Sequence, residues 1–318
     1  MMRAIASVIT GFGILIASAV ASFAAQPVDK GLWHQPAGSD MMASIEWFDA
    51  YTLWFIVPIT LFVMLLLVIV MIKFNAKANP NPSKTSHNTF IEVVWTVVPI
   101  VVLIAIAVPS FELLDNQFDS GEEPKLTVKA TAVSWAWNYE YQDESELSVD
   151  SYLIEQAAHA VTQKDPEAYA DAEAAIQATR EELGKTDLSV YPRLLTVDNE
   201  LVVPVNEMIR VLVTSEPDGV IHNFAMPAFG LKMDAIPGRT NETWFKANEE
   251  GLYYGQCSEL CGKFHAYMPI AIRVVSREQF ETWQADASAS LEDANKNLIA
   301  SIEEQKNIKL AENAQSAQ

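Results

Sequence analysis

Two stretches of the chain are apolar for long enough to cross a bilayer. Across residues 53–72 only Thr60 is polar, and across 90–111 only Glu92, Thr96 and Ser110 are. About 20 residues rising 1.5 Å each cover a hydrocarbon core. The pattern therefore predicts transmembrane helices over 51–73 and 89–113. Pro58, Pro99 and Pro109 fall inside these runs, where lipid tolerates them better than water does, and Trp47, Trp54 and Trp95 stand near the ends as interfacial anchors. Residues 73–89 carry Lys73, Lys77 and Lys84 and no acid, whereas the outer flanks are acidic. The positive-inside rule puts loop 74–88 in the cytoplasm and both ends outside. A weaker apolar run opens the chain. It has one cation, Arg3, is broken by Ser7, Thr10, Gly11, Gly13 and Ser18, and ends in small residues. That is the form of an export signal over 1–24, cleaved near Ala24. A cleaved signal demands the same orientation, with 25–50 as an extracytoplasmic segment.

Beyond the second span the period changes. Residues 125–141 are β-branched and aromatic in near-alternation and read as strand, as do 194–198, 201–204, 208–214, 242–246, 252–255 and 269–275. Turn signals separate them, among them Asp198-Asn199, Pro217-Asp218-Gly219 and Pro237-Gly238. Many short strands spaced this way predict a β-sandwich or small barrel over 120–285. Residues 143–190 interrupt it with 12 acids against 3 bases and a helix-forming composition over 155–183, the mark of an acidic helical insertion. Residues 286–318 form a polar tail, helical or loose.

Composition fits this division. The 318 residues are 50% hydrophobic, yet mean hydropathy is only +0.10 and the net charge is −20. Greasy segments and an acidic globular part share one chain. The charge repels nucleic acid and favours a cationic partner. Two cysteines are too few for a disulfide scaffold.

Both cysteines fall within residues 255–268, as Cys257-x3-Cys261-x3-His265-x2-Met268. A disulfide is the plain reading of two cysteines in an oxidising compartment, but it would close a tiny loop and leave the spaced His and Met without a purpose. Thiolate, imidazole and thioether together are a copper ligand set, and the soft thioether argues against structural zinc. A further imidazole is wanted, and His222 supplies it. His34, His87 and His159 lie outside the strands and read as surface histidines.

These motifs resemble subunit II of the haem–copper cytochrome c oxidases. The resemblance runs through Asn88 to Pro99 with Glu92 and Trp95, through Trp135-Ala-Trp137-Asn-Tyr139-Glu-Tyr141, Thr196-Val-Asp-Asn199 and Met233-Asp234-Ala-Ile-Pro-Gly-Arg239, and through the Cys/His/Met motif. It implies a two-helix transmembrane hairpin followed by an all-β cupredoxin-like barrel carrying a binuclear copper centre, CuA. Cys257 and Cys261 would bridge two coppers. His222 and His265 would each bind one, Met268 would be a weak ligand to one, and the Glu259 carbonyl a weak ligand to the other. The Glu259 side chain would hold a magnesium or manganese ion shared with subunit I. Trp135 would be the aromatic through which the electron arrives from cytochrome c, although Ala132-Val133-Ser134 replace the family's usual Gly-His-Gln before it. Glu92 would stand at the mouth of a proton path in subunit I, and Glu140 and Asp218 would face the lysines of cytochrome c.

The resemblance thus implies an electron-accepting subunit of a cytochrome c oxidase, multi-pass in the bacterial inner membrane, with the copper domain in the periplasm and subunit I and the lipid bilayer as partners. Oxygen is reduced and protons are pumped in the complex, not by this chain alone. Two rivals are a quinol oxidase subunit II, which lacks the Cys/His/Met set, and a membrane-anchored copper-binding or delivery protein, which has no use for Glu92 or Glu259. No propeller precedes the motif, as it would in nitrous-oxide reductase, and no Cys-x-x-Cys-His marks a fused c-type haem.

Overall fold

A computed structural model describes residues 24–28, 30–143, 145–156 and 169–316. All of the predicted signal but its last residue, and His159, lie outside the described residues. The chain divides into two units, residues 39–122 and residues 1–38 with 123–318.

The smaller unit is a helical hairpin. Helix α1 (Asp40–Lys73) starts at Ser39, whose Oγ accepts from Met42 N at 3.1 Å. Helix α2 (Thr89–Phe118) starts at Asn88, whose Oδ1 accepts from the amides of Phe90 and Ile91. Such caps satisfy first-turn donors that have no partner inside the helix. Tyr51 Oη ties the pair by donating to Ala105 O at 3.0 Å. Both helices outrun the apolar runs: α1 begins at Asp40 rather than 51, and α2 ends at Phe118 rather than 113. Hydropathy marks the part that lipid touches, and a helix continues through polar residues beyond it. Among the described residues these are the two helices long and apolar enough to span a membrane, so the described residues hold a two-pass hairpin.

The larger unit holds two sheets. One runs β5 (Leu201–Pro204), β11 (Pro269–Val275), β10 (Gly251–Cys257), β7 (His222–Met226), β8 (Leu231–Ala235), with β1 (Ala24–Ala25) beside the start of β10. The other runs β4 (Ser148–Ser151), β3 (Ala136–Tyr141), β2 (Leu126–Val133), β6 (Met208–Ser215), β9 (Asn241–Lys246). Inward residues of both sheets form one core, with Val128, Ala130, Trp137, Tyr139, Val211, Phe224, Phe245 and Ile272 buried.

Three expectations change. The single strand over 125–141 is a hairpin, β2 and β3, broken at Ser134 and Trp135, so Trp135 sits in a turn and not on a strand face with Trp137. Residues 194–198 are not a strand: Leu194 has φ +64°, and Val197 makes one isolated bridge to Leu153. The polar tail is part of the domain. Helix α4 (Arg277–Ala287), opened by a Ser276/Gln279 capping box, and helix α5 (Leu291–Ser316) place Phe280, Trp283, Ala294 and Leu298 in the same core as the sheets.

The insertion is not wholly helical either. It supplies edge strand β4 as well as helix α3 (Tyr169–Glu182), which buries Ala172, Ile176 and Arg180 at four-residue spacing. Buried charges fasten it to the barrel. Arg180 pairs with Glu155 and donates to Tyr191 O at 2.9 Å. Lys185 Nζ lies 3.1 Å from Glu200, whose carboxylate also pairs with Arg273 on β11.

Candidate metal centre

The four side chains of the Cys/His/Met motif belong to the end of β10 and the loop 258–268 leading into β11. His222 opens the adjacent strand β7, which pairs antiparallel with β10 so that Cys257 faces Phe224. Gly255 permits that approach, because a Cβ there would lie 2.0 Å from Ala225 O. The loop returns on itself: Cys257 N donates to Met268 O at 3.0 Å, and His265 N to Gly262 O at 3.3 Å. Asn223 Nδ2 donates to Asp234 Oδ1 at 2.7 Å, fixing β7 to β8 beside His222.

This folding brings the predicted ligands together. Cys257 Sγ and Cys261 Sγ are 3.7 Å apart, and both thiols are free. Nδ1 of His222 faces Cys257 Sγ at 3.8 Å, and Nδ1 of His265 faces Cys261 Sγ at 3.6 Å. The Glu259 carbonyl lies 3.3 Å from Cys257 Sγ, and Met268 is buried. His222, Cys257 and Cys261 are themselves buried and place their ligand atoms within 4.8 Å of one another. His222 Nε2 is buried without a hydrogen-bond partner.

Electrostatics match a cation between these groups. Burial, reinforced by Cys257 next door, pushes the Cys261 thiol up to about 12. Burial lowers His222 against the pull of Glu216, with His265 adding to the lowering, so the imidazole stays neutral and able to coordinate. A metal supplies the positive charge that makes a thiolate favourable there. Two thiols, two imidazoles on different thiols, a thioether and a carbonyl fit a pair of copper ions.

Trp135 is brought to the same loop. Its Nε1 donates to Cys261 O at 3.0 Å, and its ring lies against Gly262, whose φ of +112° admits no ordinary side chain. Asp218 is exposed on the loop between β6 and β7. Glu216 precedes it and accepts from Ser134 Oγ at 3.3 Å, which sets a carboxylate against the Trp135 turn. Sequence reasoning passed over Glu216, although its place six residues before His222 and beside Asp218 was visible. Glu140 on β3 is engaged, with Lys129 Nζ at 3.0 Å. The Glu259 side chain is exposed, as are His34 and His87. Glu92 belongs to the helical unit, where its carboxylate accepts from Asn88 N at 3.2 Å and caps α2.

Residues 27–113 match the family model described as the cytochrome c oxidase subunit II transmembrane domain, and 126–275 match its periplasmic domain. A probable cytochrome c oxidase subunit 2 of Rickettsia bellii is 40% identical over 96% of this chain and 98% of its own. The chain belongs to the cytochrome c oxidase subunit II family. A second member, from Cereibacter sphaeroides, is 39% identical over 86% of this chain and 88% of its own. The crystal structure of the periplasmic domain of subunit II from Bradyrhizobium japonicum is 46% identical, covers 54% of this chain and 98% of its own, and superposes with a TM-score of 0.41. As a subunit II, the chain is one part of the oxidase enzyme, a two-helix membrane anchor followed by a copper-binding β domain.

Proposed function

We propose that this subunit II receives electrons from a c-type cytochrome at a CuA centre and passes them to haem in subunit I, in the bacterial inner membrane with the β domain in the periplasm. One observation carries the reading: two free thiols 3.7 Å apart, each faced by the Nδ1 of a different histidine. Cys257, Cys261, His222, His265, Met268 and the Glu259 carbonyl would hold the copper, which would supply a one-electron couple there. The residues hold that couple still. Cys257 is fixed by its β7 pairing, His222 by the strand it opens, and His265 by the short 3-10 turn His265–Tyr267. Little has to move when the charge changes. Trp135 offers a bonded route from the surface to Cys261, and Glu216 and Asp218 place negative charge beside it for a cationic donor. The exposed Glu259 side chain is the ligand for magnesium or manganese at subunit I. Glu92 serves the proton path there in addition to capping its helix.

The test is the visible and EPR spectrum of the full chain, solubilised and loaded with copper. A purple species with hyperfine splitting from two equivalent copper nuclei is expected, lost in Cys257→Ser or Cys261→Ser. A single-copper spectrum, or colourless zinc occupancy, would sink the reading. The quinol-oxidase and copper-delivery readings find no favouring observation.

A further inference from the structure

Trp135 is held by the ligand loop at three points. Its Nε1 donates to Cys261 O at 3.0 Å, Gly262 lies against its benzene edge, and Phe264 meets it edge-to-face with ring centroids 5.1 Å apart and planes at 75°. Cys261 O and Gly262 bring no side chain to the contact. Phe264 is the one side chain of the three. Its own ring is set in turn, with Lys263 Nζ 5.0 Å above its face and Tyr267 edge-on at 6.2 Å. A ring pinned by a cation on its face and by a second ring at its edge has little rotamer freedom. Trp135 sits in the two-residue turn between β2 and β3, half-buried and packed against the domain core as well as against Phe264.

We infer that Phe264 is a positioning residue for Trp135, holding the indole in the one orientation that keeps its N–H on Cys261 O. The inference rests on reading Trp135 as the residue that hands the electron to the metal centre. Phe264 touches neither the donor's haem nor, by this argument, the coppers. It acts by keeping the Trp135 rotamer populated, so its effect belongs in the rate at saturating donor and not in donor affinity.

The experiment uses the assembled oxidase and reduced c-type cytochrome, with copper reduction followed in a single turnover. Phe264→Leu should lower the saturated rate roughly 2- to 10-fold, the factor by which losing an edge-to-face ring pair dilutes one rotamer, with KM unchanged. Phe264→Tyr keeps the ring and should restore the parent rate, and the copper hyperfine pattern should be the same in all three. An unchanged saturated rate in Phe264→Leu, alongside a loss in Trp135→Phe, overturns the positioning role and leaves the Trp135 route standing. A loss in Phe264→Leu that Phe264→Tyr fails to restore, or one accompanied by an altered hyperfine pattern, assigns the effect to the copper loop and overturns it as well. No effect in Trp135→Phe removes the Trp135 route itself, and this inference with it.

Discussion

Replacing Glu200 by Gln isolates the energetics of the buried charge cluster. Glu200 is 6% exposed and joins three segments: the residue before β5, Arg273 on β11, and Lys185 in the insertion. Burial alone would raise its pKa, but the Arg273 guanidinium and the Lys185 ammonium outweigh that and hold it at about 2. An amide in its place removes the carboxylate that Arg273 and Lys185 share, leaving Lys185 only the weaker pull of Asp198. Removing one partner from a buried ion pair costs about 3–5 kcal/mol. At about 2–4 °C per kcal/mol for a domain of this size, the midpoint should fall by roughly 6–20 °C. Thermal unfolding of the solubilised full chain, followed by near-UV circular dichroism, measures it. A midpoint within about 2 °C of the parent would refute the argument, because it would mean the charges are solvated or slack. Acid supplies a second readout. The folded pKa of Glu200 lies below its ordinary 4.5, so its stabilisation is complete above that value and disappears as pH falls through about 2. The parent should lose more stability than Glu200→Gln across that window. Lys185 works at the opposite end: burial lowers its pKa from 10.5, so the unfolded chain binds the extra proton and stability rises as pH climbs toward that value.

Other outcomes follow from single contacts. Gly255→Ala puts a methyl 2.0 Å from Ala225 O and 2.4 Å from Met226 Sδ, so β10 must leave β7. Destabilisation of about 1–3 kcal/mol or more, with loss of the two-copper EPR signal as Cys257 and His222 separate, is expected. Glu216→Gln and Asp218→Asn should raise KM for a cationic cytochrome and flatten its ionic-strength dependence. An identical salt slope in parent and variants would remove these acids from the docking surface. Gly262→Ala adds a Cβ 3.2 Å from Trp135 Cζ2 at a φ that disfavours it. Copper should still bind while single-turnover electron transfer slows, and an unchanged rate would count against the Trp135 route.

The clustering of the expected ligands was legible because their spacing is local: four of the side chains fall within twelve positions, and His222 could be found by elimination among five histidines. The helical hairpin was legible because lipid enforces uninterrupted hydrophobicity. Strand β7 was not, since all five of its residues are buried and no alternation marks it. The break at Ser134 and Trp135 escaped notice because a tight hairpin turn without Gly, Asn or Pro leaves the alternation of its flanks intact. The insertion misled through composition. Among the described residues its acids other than Glu155 face solvent and dominate the tally, while Lys185 and Arg180, few and buried, do the fastening. The tail misled in the same way, as one stripe bearing Ala294 and Leu298 suffices to dock a helix whose average is polar.

The pairing of β7 with β10 also sets an order of events. Cys257, Cys261, His265 and Met268 are neighbours in sequence, but His222 stands 35 positions before Cys257 and meets it only through that pairing. β10 in turn pairs with β11, and β11 lies parallel to β5, a contact of high sequence separation that forms slowly. The cluster is therefore complete only once β7 and β10 have paired, and a change that loosens this pairing separates His222 from Cys257 while leaving the sequence-local spacing of the other four untouched.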